Sequence, residues 1–239
     1  MSSIAVTMPV ETPLEPVAPW WHTVLVLAIV GGSSLASFYE HGLPNLYLPG
    51  MNWRLSGYFT VIALEWILVL VIWLALRSRG LTFDSLVGGS WRTLGNFFRD
   101  LGLGIALIVI AVPTTSGLIY LLGVHSDKTL ATLTPKTWFE LVVWVVLNWS
   151  AAFSEELVFR GYLMRQFGAW TGSRAAGLIL QGMCFGLAHG YYRWAMLAIM
   201  VHGWLLGGLA WWRKSLRPGI LAHGVQDMLG GIVAFVMVK

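Results

Sequence analysis

The sequence predicts an all-α protein, a polytopic transmembrane helical bundle of seven to eight helices. Hydrophobic residues make up 57% of the chain and charged residues only 11%, whereas a soluble domain carries about 25% charged residues. Apolar runs of the roughly 20 residues that a membrane-spanning helix needs recur along the chain. The 14 tryptophans fit the same class, because amphipathic rings favour the membrane interfaces. Little of the chain is left for a separate soluble domain.

The first half of the chain is expected to hold a tail and three spans. Residues 1–19 are proline-rich and lack the basic start of a secretory signal peptide, which predicts a disordered N-terminal tail. Residues 20–137 then form three transmembrane helices and their loops. The predicted spans are Trp20–Phe38, Gly57–Leu76 and Leu101–Leu122, and a polar stretch, Arg77–Arg99, includes an interfacial amphipathic turn at Trp91–Phe98.

The second half, residues 138–239, is expected to form a core of about four transmembrane helices. Glycines at 182, 186 and 190 on the second of these helices predict a close approach to a neighbouring helix. The predicted helices run from Trp138 to about Gln166, from Arg174 to His189, from Trp194 to Trp212 and from Pro218 to about Val238.

The positive charges predict the orientation of these helices. If residues 77–99 are cytoplasmic, ten of the 15 Lys and Arg residues fall in cytoplasmic segments. Cytoplasmic loops are enriched in Lys and Arg, so a multi-pass integral membrane protein with a cytoplasmic N-terminus is predicted. The net charge of +4 is explained by these loops, and the bilayer, not a nucleic acid, is the expected partner.

Three of the predicted helices in the second half carry polar pairs inside apolar sequence. The first has Glu155, Glu156 and Arg160, the second has His189 four residues after a phenylalanine, and the last has His223 and Asp227. The i,i+4 spacing puts the members of each pair on one helix face. Counting about 1.5 Å per residue from the cytoplasmic helix ends places all of them at roughly 9–20 Å depth. Ionisable groups at membrane depth are expensive and indicate a functional site.

The two adjacent glutamates are expected to differ in role. Glu156 and Arg160 have the spacing of an ion pair, with the glutamate on the favourable N-terminal side. We therefore predict a structural brace there. Glu155 is rotated by about 100° from Glu156 and has no cation nearby in the sequence, which makes it the candidate general base for a water molecule.

Two chemistries remain open from these residues. In the first, Glu155 activates water, and His189 and His223 orient it or stabilise an oxyanion. In the second, Glu155, His189, His223 and Asp227 hold zinc or another divalent metal, which acidifies a bound water. The H-E-x-x-H signature of one class of zinc proteases is absent. Both chemistries hydrolyse a carbonyl bond.

Structural explanations are favoured for the other buried polar residues. Histidines in apolar helices usually make a hydrogen bond within the bundle, and this is the interpretation for His202 and also for the loop residues His22, His41 and His125. Glu65, near the middle of the second span, is expected to face the bundle in a structural role.

Two other functions compete with hydrolysis. A non-catalytic membrane protein that binds a peptide or protein partner would use the same polar cluster as a packing core. A proton-coupled transporter is disfavoured, because the sequence shows no inverted repeat or paired broken helices.

The three motifs E-E-x-x-x-R, F-x-x-x-H and H-x-x-x-D, in this order on apolar helices, resemble those of the CPBP family (CAAX protease and bacteriocin-processing, also called Abi). The family consists of intramembrane proteases and includes the type II CAAX prenyl endopeptidases. The resemblance covers about residues 138–238. It implies an endopeptidase of about eight helices that acts on a membrane-associated peptide or protein, in a membrane of the bacterial inner-membrane type.

The resemblance also implies roles for individual residues. Glu155 and His189 match the positions held to activate water, and Glu156 and Arg160 match the second glutamate and the arginine. His223 and Asp227 match the pair held to stabilise the oxyanion or to help bind a metal. The family's third motif often ends in Asn, which can donate to an oxyanion, whereas an ionised Asp227 cannot. Substrate choice within the family ranges over prenylated proteins, bacteriocin-related peptides and peptide maturation.

Overall fold

The structure, a computed structural model, describes residues 14–40, 43–124 and 133–238, and every regular element in these ranges is helical. The helices are α1 (Trp20–Glu40), α2 (Trp53–Ser78), α3 (Phe83–Val87), α4 (Leu94–Leu121), α5 (Trp138–Glu155), a π-helix (Glu156–Leu163), α6 (Met164–Thr171), α7 (Arg174–Ala188), a 3₁₀-helix (Gly190–Ala195), α8 (Met196–Arg213) and α9 (Arg217–Val238). The predicted all-α class is confirmed.

Six helical segments of the described part are long and apolar enough to cross a membrane. They are Trp20–Glu40, Trp53–Ser78, Leu94–Leu121, Trp138–Thr171, Gly190–Arg213 and Arg217–Met237. The predicted polytopic transmembrane bundle is thereby confirmed. The helix α7 has only 15 residues; at about 1.5 Å per residue it is shorter than the hydrocarbon core of a bilayer. It is present as a helix, but is too short to be a full span by itself.

The polar stretch predicted at Arg77–Arg99 is partly helical, which corrects its assignment. It contains the short helix α3, and α4 begins at Leu94, seven residues before the predicted start of the third span. The reason is local: the Thr93 side chain caps α4 by accepting a hydrogen bond from the Asn96 N–H at 3.2 Å. Such caps satisfy donors that the first turn of a helix leaves free.

The N-terminal ends of three further helices are fixed in the same way. Asn52 caps α2, Thr137 caps α5 and Ser173 caps α7, each by accepting from the backbone N–H three residues on. At α5 the Glu140 side chain also accepts from the Thr137 N–H, which completes a capping box. The polar residues flanking the apolar runs therefore determine where these helices start.

Buried acids join neighbouring helices near both sides of the bundle. Asp100 is fully buried in α4, and its carboxylate contacts Arg217 at 3.2 Å, Arg99 at 3.1 Å and Arg213 at 3.7 Å. Near the start of α5, Glu140 pairs with Arg54 of α2 at 3.0 Å. A buried charge is tolerated when it is paired and hydrogen-bonded, so each acid holds its helix against its partners.

The first span packs against the π-helix and α6 through polar contacts. The Tyr162 hydroxyl lies 2.8 Å from His22 Nδ1 and 2.9 Å from Thr23 Oγ1. The Gln166 side chain bonds both the N–H and the carbonyl of Ala18, at 3.1 and 2.7 Å. The predicted bundle hydrogen bond of His22 is confirmed, although His22 lies in α1 and not in a loop.

Some sequence predictions fall wholly or partly outside the described residues. Of the predicted tail, residues 1–13 lie outside them, while Val17 and Ala18 are buried against the bundle. His41 and His125 also lie outside the described residues.

Glycines on α7 allow close contact with α8, as predicted for two of three positions. A Cβ on Gly182 would lie 2.1 Å from Trp204 Cδ1, and one on Gly186 would lie 2.8 Å from the Met196 carbonyl oxygen. A Cβ on Gly190 meets nothing closer than 3.5 Å, so this glycine is not needed for the crossing.

Gly177 in α7 allows a similarly close contact with α6. A Cβ there would lie 2.3 Å from the Met164 carbonyl oxygen, and overpacking of this kind costs about 1–3 kcal/mol. We expect Gly177→Ala to lower the thermal unfolding temperature of the detergent-purified protein. Gly208→Ala in α8 is the matched control, because nothing lies within 4 Å of its Cβ position. Equal unfolding temperatures of the two variants would contradict the prediction.

Candidate active site

Glu155 lies where a regular helix gives way to a wider one. α5 ends at Glu155, and in the following π-helix the Met164 N–H donates to the Phe159 carbonyl. π-helical turns are rare and are often found at functional sites. The two adjacent carboxylates, Glu155 and Glu156, lie at this junction and have different surroundings.

The ion pair expected from the spacing of Glu156 and Arg160 is present. Glu156 Oε1 lies 3.0 Å from Arg160 Nη1, and both side chains are fully buried. The Arg160 guanidinium also lies over the Phe185 ring, 4.1 Å from its centroid, and its Nη2 donates to the Gly203 carbonyl at 3.4 Å. The brace therefore links the π-helix to α7 and α8.

His223 of α9 is surrounded by three carboxylates. Its Nδ1 lies 3.3 Å from Glu156 Oε1, and its Nε2 lies 3.2 Å from Asp227 Oδ2 and 3.7 Å from Glu155 Oε2. A proton on both ring nitrogens, or on one of the carboxyl groups, satisfies these contacts. His223 thus joins the brace to Glu155 and Asp227.

Glu155 differs from Glu156 in its access to open space. Its side chain is 23% exposed, whereas that of Glu156 is fully buried. Glu155 and His189 both line a cavity of about 110 Å³, which is large enough for more than one water molecule. Of the two glutamates, Glu155 is therefore the one that can reach a water in this cavity.

His189 follows the last residue of α7 and has a fixed ring orientation. Its Nδ1 lies 2.9 Å from the Phe185 carbonyl oxygen. A carbonyl only accepts, so Nδ1 carries the proton of this hydrogen bond, and Nε2 of a neutral ring is left as an acceptor. The Phe185 ring contacts the rings of both His189 and His223, with centroids 4.8 and 6.1 Å apart.

All six predicted site residues lie in one region of the bundle, but in two layers. Glu155, Glu156, Arg160, His223 and Asp227 form one chain of contacts. His189 reaches this chain through Phe185 and through the cavity that it shares with Glu155. Sequence reasoning therefore identified a set of residues that the fold brings together.

Two polar residues of this region were not predicted to belong to it. Glu65 of α2 lines the same cavity as Glu155 and His189. His202 of α8 is buried, with its ring centroid 6.3 Å from that of His223. Neither ring nitrogen of His202 has a hydrogen-bond partner among the described residues, so the prediction of a bundle hydrogen bond is wrong for it. The signal for Glu65 was its position in the middle of a span.

The donor geometry does not favour a metal centre. Among the residues that the structure describes, no group of three or more His, Cys, Asp or Glu side chains is arranged to hold a metal ion. His189, one of the four proposed ligands, bonds a backbone carbonyl through Nδ1, so Nε2 is its nitrogen that could bind a metal.

Comparison with known proteins supports the assignment made from the motifs. Residues 137–229 match the family described as type II CAAX prenyl endopeptidase Rce1-like. This match supports placing the chain in the CPBP family of CAAX proteases, as its three motifs predicted. No curated protein and no solved structure matches the chain significantly.

The Glu156–Arg160 brace can be tested by its effect on stability. Arg160→Met leaves the buried Glu156 carboxylate without its cation, and breaking a buried ion pair costs about 3–5 kcal/mol. We expect a large fall in thermal unfolding temperature, and partial recovery in the double variant Glu156→Gln/Arg160→Met, where neither charge remains. Arg99→Met is the control, since the side chain of Arg99 is 47% exposed and exposed pairs contribute about 0–1 kcal/mol. Equal effects of the two arginine variants would refute the brace.

Proposed function

We propose that this protein, assigned through residues 137–229 to the CAAX protease family, is an intramembrane endopeptidase that cleaves a prenylated, membrane-associated peptide. The observation that carries the proposal is the convergence of Glu155, His189, His223 and Asp227 from separate helical segments onto one buried region. The family supplies the reaction class, a protease. The polar cluster supplies the residues for the glutamate-activated water mechanism that we propose.

In this mechanism Glu155 is the general base. It has no arginine or lysine partner among the described residues, and it borders a cavity of about 110 Å³ in which a water can lie. The Nε2 atom of His189 is a hydrogen-bond acceptor, and it is proposed to orient the same water. The water oxygen adds to the carbonyl carbon of the scissile bond while its proton passes to the Glu155 carboxylate.

His223 and Asp227 are proposed to act on the oxygen of the tetrahedral intermediate. The 3.2 Å contact with Asp227 Oδ2 holds the His223 ring and favours a proton on Nε2. In the proposal this Nε2–H is shared between Asp227 and the developing oxyanion, because Nδ1 is already bonded to Glu156. In this scheme Asp227 is a positioning residue, which accounts for an acid at a place where the family often has Asn.

The brace of Glu156 and Arg160 is proposed to position these groups without taking part in the chemistry. Both side chains are fully buried, so neither reaches a substrate. Glu156 Oε1 bonds His223 Nδ1 at 3.3 Å and so fixes the second edge of the ring. Two carboxylates therefore hold the same imidazole from opposite sides.

The proposal includes an orientation in the membrane. With the N-terminus in the cytoplasm, ten of the 15 Lys and Arg residues lie on the cytoplasmic side, as cytoplasmic loops prefer. This topology in an inner membrane of the bacterial type places the substrate peptide on the cytoplasmic face. Single cysteines introduced at residues 79 and 136, in a Cys184→Ala background, check this orientation with a membrane-impermeant thiol reagent. In intact cells the cysteine at residue 136 should react, and the cysteine at residue 79, on the cytoplasmic side, should not.

The function is tested with a fluorogenic peptide that ends in S-farnesyl-cysteine, two aliphatic residues and methionine, the pattern of a prenylated C-terminus. We expect the purified protein to cleave after the farnesyl-cysteine, and Glu155→Gln to lower turnover by about 10²–10⁴-fold, because a general base contributes that much. Asp84→Asn is the control variant. It removes an exposed carboxylate outside the candidate site and should keep full activity.

Three outcomes distinguish the alternatives. Cleavage of an unprenylated peptide at the same rate supports an endopeptidase of broader specificity. Failure of the wild-type protein to cleave any peptide, with binding retained, favours the non-catalytic peptide-binding alternative. Full activity of Glu155→Gln would refute the assignment of the base. Turnover with and without a chelator reports separately on metal dependence.

Asp227 offers a second test of the mechanism. Asp227→Asn keeps a polar group beside His223 and adds a donor for the oxyanion, so we expect most of the turnover to remain. Asp227→Leu removes the contact that holds the ring, and loss of oxyanion stabilisation costs about 10²–10³ in kcat. A greater loss in Asp227→Asn than in Asp227→Leu, measured with the farnesylated peptide, would contradict the positioning role.

A further inference from the structure

The cavity beside Glu155 has a second carboxyl group in its wall. Glu65 of α2 lines it together with Glu155 and His189, while α1 contributes the hydroxyls of Ser33 and Ser37. Most of the remaining lining is aliphatic. Two carboxyl groups from different helices thus border the same space of about 110 Å³.

One oxygen of Glu65 has no structural explanation. The side chain is buried, at 6% exposure. Its Oε2 accepts a hydrogen bond of 2.7 Å from Ser150 Oγ, whereas Oε1 is buried without a hydrogen-bond partner among the described residues. The hydrogen bond to Ser150 therefore satisfies only one of the two carboxyl oxygens. Leaving a buried polar atom unpaired is costly in free energy.

Glu65 also differs from the other buried acids in lacking a cation. Asp100, Glu140 and Glu156 are buried as well, and each forms an ion pair with an arginine at 3.0–3.2 Å. No ion pair of Glu65 is found among the described residues. In a structure that pairs its buried carboxylates with arginine, an unpaired one is best accommodated as a neutral acid.

The charged and titratable groups around Glu65 also favour its neutral form. Glu155 acts on it from α5 and His223 from α9, with the Ser150 hydroxyl adjacent on α5. His189 and Tyr191 face the cavity from beyond α7. The carboxylate of Glu155 borders the same cavity, and a nearby like charge favours the neutral form of a buried carboxyl group such as that of Glu65.

We propose that Glu65 is a further catalytic residue, the general acid that protonates the leaving amine, and this inference rests on the proposed endopeptidase function. The geometry that supports it is a buried, cation-free carboxyl group with one unpaired oxygen, on a residue that lines the cavity of the base. In this proposal Glu155 acts as the general base, which accepts a proton, and Glu65 acts as the general acid, which donates one.

The proton transfers balance over one turnover. Glu155 accepts a proton as the water oxygen bonds to the carbonyl carbon, and the π pair moves to the carbonyl oxygen. When the C–N bond breaks, its electron pair stays on nitrogen, which takes the proton of Glu65. The proton on Glu155 then passes to Glu65 through the cavity and restores both groups. One water is consumed, and a carboxylic acid and an amine are produced.

The test compares two probes that differ only in the leaving group. One is the farnesylated peptide with an amide at the scissile bond, and the other has a thioester in its place. An amine must be protonated to leave, whereas a thiol, with a pKa of about 8.5, leaves as the thiolate. A general acid is therefore needed for the amide and dispensable for the thioester.

We expect Glu65→Gln to lower amide turnover by about 10²–10⁴-fold and to change thioester turnover by less than about threefold at the same pH. Glu155→Gln is the matched comparison, because the base is needed with both probes and both rates should fall. Equal loss of the two rates in Glu65→Gln, or no loss in either, would overturn the inference.

Two measurements keep the test decisive. If the wild-type protein does not cleave the amide probe, the proposed function has failed, and this differs from a failure confined to Glu65. If Glu65→Gln does not fold, as judged by its unfolding temperature, Glu65→Asp is measured in its place. A selective loss with the amide probe then supports the role, and a parallel loss refutes it.

Discussion

The ion pair of Glu156 and Arg160 is the contact on which the arrangement of the site depends. Both groups are fully buried at 3.0 Å, and neither charge could remain in an apolar bundle without the other. The pair touches each element around it: the Phe185 ring of α7, the Gly203 carbonyl of α8 and His223 of α9. The same constraint fixes Asp100 and Glu140 beside arginines elsewhere. Buried charge is thus the reason that particular helices are neighbours.

The close packing of α7 and α8 explains how these contacts are reached. Gly182 and Gly186 remove the side chains that would separate the two helices, and Gly203 of α8 leaves room for Phe185. Phe185 then lies between Arg160 and the two histidine rings. Small residues set the spacing of the helices, and one aromatic side chain fills the space between the brace and His189.

The first half of the chain completes the cavity, although the family match begins only at residue 137. α1 is held to the π-helix by the contacts of Tyr162, and the residues just before α1 are held to α6 by the contacts of Gln166 with Ala18. α1, α2 and the loop between them supply most of the apolar cavity wall, and α2 supplies the carboxyl group of Glu65. Under the proposed function, most catalytic groups come from residues 137–229, which match the family. Much of the cavity wall comes from the first half of the chain.

The sequence by itself determined the helical class, the approximate bounds of the long helices and the candidate site residues, because apolar runs, capping residues and i,i+4 pairs are local signals. It placed Glu155, Glu156, Arg160, His189, His223 and Asp227 in one group, and the fold brings them into one region. Only the tertiary structure decided that α7 is short, that a π-helix follows Glu155, that His202 lacks a hydrogen bond and that Glu65 shares the cavity of Glu155. The last two features depend on which helix faces which across the bundle. Residues as distant in the chain as 65 and 155 can line one cavity without leaving a periodic trace in the sequence.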